Sequence, residues 1–225
     1  MMERFFDIFF SALALLALSP LLVPIVLILK FSGEGEILFL QERVGKDGQL
    51  FKLFKFATML KDSPNIGTGT VTMKGDPRVL PVGKFLRKTK INELPQLLNI
   101  FFGDMSVIGP RPLTAQTFGS YSVETQEIIK KVRPGLSGIG SIIFRGEEEI
   151  MHGASASLDF YDNVIAPYKG SLEEWFVSNK NIHIYFLAIF ITTWAVIFPG
   201  TKIAWRVFKN LPEPPLELKK ALKFI

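Results

Sequence analysis

A long apolar segment near the amino terminus constrains the fold of this chain more than any other feature. From Ile8 to Leu29 there are 22 residues without an ionisable side chain, and as a helix they extend about 33 Å, close to the hydrocarbon thickness of a bilayer. A cleaved signal peptide fits poorly, because Glu3 and Asp7 dilute the basic start and the apolar core is too long. The segment therefore predicts a membrane helix.

Ser19, Pro20 and Pro24 fall near the middle of this segment. Each proline removes a backbone donor and clashes with the preceding turn, so we expect a kink near Ser19-Pro20. With a modest kink the helix spans the membrane. With a sharp kink it is re-entrant, entering and leaving on one side, and its freed carbonyl groups are satisfied by Ser19 or by other protein groups. The residues alone leave both open.

A second apolar block runs from Ile182 to Pro199 and has basic residues on both sides. It is near the lower length limit for a span, so we interpret it as an interfacial or partly buried helix. The lysine-rich tail after it suits attachment to an anionic lipid surface, although a solvated end explains it equally. The predicted organisation is a membrane helix at 1–32, a soluble domain at 33–180, and an interfacial helix with a basic tail at 181–225.

The middle segment has the pattern of a small soluble domain. Two apolar stretches, 37–40 and 50–56, flank the turn residues Lys46-Asp47-Gly48 and predict a short β-hairpin. A loop is predicted from Lys61 to Gly75, which is rich in Gly, Thr, Ser and Asn. The fold class expected is α+β, mainly helical and membrane-anchored.

Composition limits the chemistry that this chain can perform. It has no Cys and only two His, which excludes thiolate chemistry and Cys- or His-rich metal sites and disfavours a Ser-His-Asp triad. The net charge is +5, which favours an anionic partner: a phosphorylated substrate, an anionic lipid or a nucleic acid. Carboxylates, Arg, Lys and backbone amides remain as the chemical groups.

The most informative stretch is an amphipathic helix predicted at 94–102, with apolar residues spaced at i, i+3, i+4, i+7 and i+8. Asn92 is a suitable N-cap and Glu93 lies in the first turn, where a negative charge complements the helix dipole. Arg87 and two nearby lysines, Lys88 and Lys90, add positive charge beside that amino terminus, as expected for a phosphate-binding site. A cap and a dipole partner alone would explain Asn92 and Glu93 equally well.

Two arginines lie in proline-stiffened turns. Arg111 stands between Pro110 and Pro112, and Arg78 follows Pro77. A stiff backbone preorganises a guanidinium for bidentate binding of phosphate. The alternative is that Arg78 and Arg111 only brace their loops by pairing with Asp76 or Asp104.

In these motifs the chain resembles the bacterial sugar transferases, the monotopic polyprenyl-phosphate phosphoglycosyl transferases. The resemblance covers nearly the whole chain, and the joint occurrence of its motifs in this order is highly specific. The motifs are Ser19-Pro20, Gln41 to Gly45, FKLFKFATM from Phe51 to Met59, Asp76-Pro77-Arg78, KFLRKTKINELPQLLN from Lys84 to Asn99, GDMSVIGPRPL from Gly103 to Leu113 and RPGLSGIGSIIFRGEE from Arg133 to Glu148.

The resemblance implies transfer of a sugar-1-phosphate from a nucleoside diphosphate sugar, usually a UDP-sugar, to polyprenyl (undecaprenyl) phosphate, as in exopolysaccharide biosynthesis. It implies a re-entrant helix, a requirement for Mg²⁺, and an active site on the cytoplasmic face of the bacterial inner membrane. Membrane lipids are then partners, nucleic acid is not, and a homo-oligomer is left open.

The family has an Asp-Glu pair at the helix start, with Asp as the nucleophile and Glu as a magnesium ligand, whereas this chain has Asn92-Glu93. An amide cannot attack phosphorus. Three outcomes are open: Glu93 replaces the nucleophile with Asp104 as a further Mg²⁺ ligand, the lipid phosphate attacks directly with Asn92 as a positioning donor, or the protein is inactive.

A second departure is Ala57, where the family usually has Arg. It leaves Lys55 as the phosphate-binding candidate on that strand, beside Arg78, Arg87, Arg111 and, more weakly, Arg145.

Two other readings compete with an active transferase. A catalytically silent membrane scaffold that binds lipid-linked or nucleotide sugars is supported by Asn92. A peripheral nucleic-acid binder is favoured by charge alone, but the soluble part lacks clustered basic and aromatic stretches, and the apolar segment would be unexplained.

Overall fold

The computed structural model describes residues 2–65, 76–145, 160–198, 203–222 and 224. The described chain is mainly helical with short strands, as the sequence predicts. Its elements in order are α1 (Met2–Phe31), β1 (Leu38–Val44), β2 (Leu50–Phe56), α2 (Pro81–Lys88), α3 (Gln96–Phe102), β3 (Ser106–Ile108), α4 (Ala115–Gly119), α5 (Val123–Ile129), β4 (Gly135–Ser137), α6 (Ile139–Ile143), α7 (Ala166–Asn179), α8 (Ile182–Ile197), α9 (Ile203–Val207) and α10 (Leu216–Lys219).

The chain forms two compact units, neither of which is continuous in sequence. Unit 1 comprises 1–7, 43–51 and 103–225, and unit 2 comprises 8–42 and 52–102. The boundaries predicted at 32/33 and 180/181 separate the membrane helix, the middle domain and the carboxyl-terminal segment. These boundaries stay predictions. Most of the predicted loop at 61–75 and the residues Gly146 to Glu148 of the last family motif lie outside the described residues.

Helix α1 runs without interruption through both prolines and is long and apolar enough to cross a membrane. The missing N–H of Pro20 frees the carbonyl group of Leu16, four residues earlier. The Ser19 hydroxyl donates to this carbonyl oxygen at 2.8 Å, a bond that was expected for the sharply kinked helix. The sharp kink and the re-entrant path stay predictions.

The carboxyl-terminal part of α1 also contributes to the core of unit 2. Ile25 and Leu29 pack with Phe56 of β2 and Leu86 of α2. Residues further along the exposed side, such as Leu16, are largely uncovered. One side of the helix therefore packs against the protein, and another side is apolar and exposed, as expected for a membrane helix.

The predicted hairpin is confirmed. Strands β1 and β2 form a two-stranded sheet, and a 3₁₀ turn at Lys46–Gly48 connects them. Asp47 in this turn has a left-handed backbone with φ of 57°, a conformation that Asp tolerates better than most residues. The hairpin carries Lys55 near the end of β2.

The helix predicted after Asn92 begins differently from the expectation. Residues Ile91–Glu93 form a 3₁₀ turn, and α3 starts at Gln96. Lys90, with a left-handed φ of 60°, precedes the turn, and no side chain caps it. The predicted N-cap role of Asn92 is therefore wrong: Asn92 lies inside the turn, because the chain reverses at Lys90 and the helical residues begin at Ile91.

The sequence analysis did not predict the second sheet. Strands β3 and β4 pair in parallel, with Ser106 opposite Gly135 and Ile108 opposite Ser137. A Cβ atom on Gly135 would lie 2.1 Å from the backbone nitrogen of Gly109, so only glycine allows this approach. Strands of three residues leave too little periodicity to be recognised in a sequence.

Helix α8 corresponds to the second apolar block. One side is buried through Tyr185, Ala188, Ile191 and Ala195, and the helix packs against β3 and α6. Its other side exposes Phe190 and Ile197. The partly buried character is confirmed, and the interfacial placement stays a prediction.

Candidate functional site

A lysine and a glutamate from distant motifs meet in unit 2. Lys55 Nζ of β2 lies 4.0 Å from Glu93 Oε1 of the 3₁₀ turn, and the two side chains are 20% and 29% exposed. Both groups are partly withdrawn from solvent yet accessible, so their charges act more strongly than at an open surface. Two of the predicted site residues thus form one site.

The buried side chain of Asn99 fixes the separation between the strand and the helix that follows Glu93. Its Nδ2 donates to the carbonyl oxygen of Lys52 at 2.8 Å, and its Oδ1 accepts from the backbone N–H of Phe54 at 2.9 Å. The amide therefore pairs with β2 as a neighbouring strand would. Because Asn99 is fully buried, these bonds hold Lys55 and Glu93 on a rigid support.

Asn92 is next to Glu93 and has an unusual oxygen atom. Its Oδ1 is buried and accepts no hydrogen bond from any described residue. A buried acceptor without a donor is costly, by about 1–3 kcal/mol, and such atoms are rare in folded proteins. Asn92 is therefore a candidate for interaction with a bound group.

The two other arginines predicted in unit 2 differ in accessibility. Arg87 lies in the last turn of α2, is partly exposed, and has its Nη1 3.5 Å from Thr58 Oγ1. Arg78 is buried, donates to Asp76 through Nε and Nη2 at 2.9 and 2.6 Å, and donates through Nη1 to the carbonyl oxygen of Ser63. These bonds brace the loop, which was the alternative considered for Arg78. Its predicted phosphate-binding role stays a prediction.

Arg111 in unit 1 has the stiff backbone that its flanking prolines predict. The carbonyl oxygen of Pro110 accepts from Gly135 N at 2.8 Å, and that of Pro112 accepts from Arg43 Nη1 at 3.3 Å. The Arg111 side chain is exposed. A fixed backbone with an exposed guanidinium suits the capture of an anion.

A buried carboxyl group from α7 lies beneath this loop. Glu173 accepts a hydrogen bond from the backbone of Arg111, and burial raises the pKa of Glu173 to about 7, a shift that the charges of Lys169 and Arg111 partly oppose. Lys169 is itself buried, with its ammonium group 5.0 Å from the centre of the Phe144 ring. The backbone position of Arg111 is therefore coupled to a titratable group.

Asp104 and Arg145 are also in unit 1 and are both exposed. Asp104 follows α3 in a bend, and Arg145 follows α6 in a turn. The structure brings Lys55 and Glu93 together, whereas it places Asp104, Arg111 and Arg145 in the other unit. The roles predicted for these three stay predictions.

The residues around Glu93 fit a magnesium ion that is bound together with a substrate. In the described part of the chain, no three His, Cys, Asp or Glu side chains cluster as metal ligands. Mg²⁺ bound with a diphosphate needs only one or two carboxylates, because phosphate oxygens and waters complete its shell. The Glu93 carboxylate and the unpartnered Asn92 oxygen are donors of the required type, so a shared site fits and an all-protein cage does not.

Sequence reasoning missed Asn99 and Glu173. Asn99 was within a quoted motif, but its two partners are 45 and 47 residues away in sequence. Glu173 stands in a helix with ordinary polar composition, and its burial depends on packing between α7 and the Arg111 loop. Only a polar residue among the apolar positions of the predicted helix could have indicated Asn99.

Comparisons with known proteins identify the family of the whole chain. The family model for "Bacterial sugar transferase" matches residues 1–199. An exopolysaccharide production protein, ExoY, from Sinorhizobium fredii is 36% identical over 171 residues, which are 70% of this chain and 74% of that protein.

Two relatives carry names that state an activity. The UDP-glucose:undecaprenyl-phosphate glucose-1-phosphate transferase of Escherichia coli is 36% identical over 84% of this chain and 40% of its own length. A UDP-N-acetylgalactosamine-undecaprenyl-phosphate N-acetylgalactosaminephosphotransferase of Aeromonas hydrophila is 36% identical over 70% of this chain and 36% of its own length. This chain thus spans well under half of these two longer relatives.

The match over most of the chain includes the hairpin, the Lys55–Glu93 pair and the Arg111 loop. The chain therefore belongs to the bacterial sugar transferase family and is a sugar transferase.

Proposed function

We propose that this protein transfers a sugar-1-phosphate from a nucleoside diphosphate sugar, most simply a UDP-sugar, to polyprenyl phosphate. The products are a polyprenyl diphosphate-sugar and the nucleoside monophosphate. The observation that carries the proposal is the Lys55–Glu93 pair, which places a cation and a carboxylate 4.0 Å apart on rigid elements. The names of the relatives, with UDP-sugars and undecaprenyl phosphate in them, support the choice of substrates.

The cationic residues would bind phosphate oxygens, and the residues with oxygen donors would bind the metal ion. Phosphoryl transfer depends mainly on positioning and on neutralising negative charge. Lys55 and Arg87 would bind oxygens of the diphosphate, and Arg111 would bind phosphate from its stiff loop. Asn92, together with Glu93 in the route where Glu93 is not the nucleophile, would hold Mg²⁺, which when bound supplies charge neutralisation at the diphosphate. The long apolar helix α1 would keep this chemistry at the membrane surface, where a polyprenyl chain stays in lipid.

Two routes lead to the same products. In one, a carboxylate oxygen of Glu93 attacks the sugar-bearing phosphorus, the bond to the nucleoside monophosphate breaks, and the lipid phosphate then displaces Glu93. In the other, an oxygen of the lipid phosphate attacks that phosphorus directly. Asn92 cannot be the nucleophile, and its buried oxygen is equally compatible with an inactive binding protein.

The test is the release of nucleoside monophosphate by the purified protein with polyprenyl phosphate, Mg²⁺ and a panel of sugar nucleotides. We expect release with at least one donor, and a loss of roughly 10³-fold or more in Glu93→Gln. Glu124→Gln, which neutralises an exposed carboxylate in unit 1, is the matched control.

The amount of nucleoside monophosphate released without and with acceptor also separates the two routes and the silent alternative. Release of one equivalent without acceptor supports covalent transfer through Glu93, and release that strictly needs the acceptor supports direct attack. If no donor gives release but Asn92→Asp does, the protein is a silent member. If Glu93→Gln is as fast as the unmodified protein, the site has been wrongly assigned.

A further inference from the structure

A cation-lined cavity lies at the amino end of α1, within unit 1. It has a volume of about 180 Å³, and Arg4, Lys46, Lys131, Arg133 and Lys180 contribute to its wall. None of the residues assigned to the candidate active site lines it. The cavity is therefore a separate feature with its own charge.

The two carboxylates of the wall, Glu3 and Asp7, are already engaged inside the protein. Glu3 pairs with Lys180 at 2.7 Å. Asp7 is buried, and its Oδ1 accepts from Ser106 Oγ, Val107 N and Tyr185 Oη, each at 2.9 Å. The residues of the wall comprise five cations and two carboxylates, a formal net charge of +3, which favours an anion over a cation in the cavity.

Part of the wall, around Asp7 and Arg133, is preorganised. The bonds of Asp7 attach the first turns of α1 to β3 and to Tyr185 of α8. Arg133 Nε donates to the carbonyl oxygen of Gly103 at 2.6 Å, which fixes the guanidinium in place. Cations on fixed supports bind an anion without first losing conformational freedom.

The position of the cavity along α1 indicates what kind of anion it binds. The apolar segment begins at Ile8, one residue after Asp7, and Met2 and Phe5 on the same first turns are 63% and 65% exposed. Lipid tails would cover such apolar side chains, and a headgroup phosphate would then lie at the level of the cavity. Basic pockets beside a membrane helix bind anionic headgroups in this way.

We propose that this cavity binds the phosphate group of an anionic membrane phospholipid, as a second phosphate site apart from the active site. The same chemistry would accept a soluble phosphate, so the source must be tested. Lys46 and Lys131 are the cations to change: both are exposed, and in the described structure neither makes an ion pair closer than the 3.9 Å contact of Lys46 with Asp47.

The experiment measures the dissociation constant for phosphatidylglycerol by native mass spectrometry of the full chain in detergent micelles. The variant is Lys46→Gln/Lys131→Gln, and Lys84→Gln is the control, since Lys84 is an exposed lysine of α2 that does not line the cavity. Loss of about fivefold in affinity for each lysine, roughly 25-fold for the pair, is expected, with less than twofold in the control. Phosphatidylcholine should bind more weakly than phosphatidylglycerol to the unmodified protein.

Three results would overturn the proposal: equal losses in the double variant and the control, equal affinity for both lipids, or displacement of phosphatidylglycerol by inorganic phosphate at similar concentration. The last would reassign the cavity to a soluble phosphate ligand. Thermal unfolding of each variant without added lipid shows whether the fold is intact, and the single variant Lys131→Gln, with a loss of about fivefold, serves if the double variant does not fold.

Discussion

Lys55 is the cation that the structure places beside Glu93, and its charge has a defined purpose in the proposed reaction. Negative charge on the diphosphate increases as the bond to the leaving nucleotide breaks, and a partly buried ammonium stabilises it more than an exposed one. Two other positively charged candidates, Arg78 and Arg111, are held by their loops. Lys55 is thus the cation whose removal should affect the proposed reaction most directly.

We predict that Lys55→Met lowers kcat/KM for nucleoside monophosphate release by roughly 10²-fold, the loss typical when one charge-stabilising group is removed. Lys52→Met is the control, because Lys52 lies on the same strand with an exposed side chain. Steady-state kinetics of both variants provide the comparison. Equal activity of the two variants would separate Lys55 from the reaction.

Glu173 predicts a pH dependence of stability. Its pKa in the folded protein is about 7, above that of an exposed glutamate, so between about pH 4.5 and 7 the unfolded chain releases this proton while the folded chain keeps it. Stability therefore falls as pH rises through this window, by roughly 3 kcal/mol in total from this residue.

Glu173→Gln carries a neutral side chain at every pH and still offers an oxygen to the backbone of Arg111. We predict that the unfolding temperature of the unmodified protein drops relative to this variant between pH 5 and pH 8. Thermal denaturation at the two pH values measures the difference. A constant difference between the two proteins would show that Glu173 does not titrate in this range.

At the scale of elements, the main device is the attachment of α3 to β2 through Asn99. A helix and a strand usually pack through apolar side chains, whereas here a buried amide also makes the two hydrogen bonds of a neighbouring strand. The Lys55–Glu93 geometry depends on this attachment, since each residue belongs to one of the two joined segments.

Asn99→Ala should lower the free energy of unfolding by about 1–3 kcal/mol, because it leaves the partly buried N–H of Phe54 and the partly buried carbonyl oxygen of Lys52 without these partners. Activity measured well below the unfolding temperature should fall as well, in kcat more than in KM. The control is Asn65→Ala, which removes the exposed hydrogen bond of Asn65 to Asp62. A variant that is destabilised yet fully active would limit Asn99 to a structural role.

The amino end of helix α1 is likewise attached to distant segments by a buried polar side chain. In the sequence Asp7 argues only against a signal peptide, whereas in the structure its carboxylate attaches the first turns of α1 to β3 and α8. Ser19 compensates for Pro20 in the middle of the same helix. Polar residues in α1 are therefore placed where the helix meets protein or where a proline has freed a carbonyl group.

At the scale of the whole molecule, the path of α1 relative to the membrane decides which compartments the two ends of the helix face. If the helix is re-entrant, as the family resemblance implies, Met2 and Ser32 at its two ends face the same compartment. If it spans the membrane, they face opposite compartments. The absence of native Cys makes single-cysteine labelling unambiguous.

We predict that Met2→Cys and Ser32→Cys are labelled by a membrane-impermeant maleimide from the same, cytoplasmic side in spheroplasts and inverted vesicles. Ser32 is preferred to Gly33, because Gly33 has a left-handed backbone with φ of 55° that a cysteine would strain. Labelling of the two positions from opposite sides would rule out the re-entrant path.

The local parts of the fold could be predicted from the sequence. The membrane helix, the hairpin and the helical character near Glu93 depend on periodicity, turn residues and charge within a few positions. The candidate residues Lys55 and Glu93 also came from motifs, and the structure joins them. The cap assigned to Asn92 failed because the left-handed turn at Lys90 moved the start of the helical residues.

The sequence by itself determined the long apolar helix, the supply of cationic and carboxylate side chains and the family. Tertiary structure decided which of these groups meet. Asn99 reaches its partners across 45 and 47 positions, and Asp7 reaches Ser106 and Tyr185 across 99 and 178. The burial of Glu173 and the cation-lined cavity likewise arise from packing between distant segments. Periodicity in a sequence reports on neighbours along the chain, whereas these sites depend on neighbours in space.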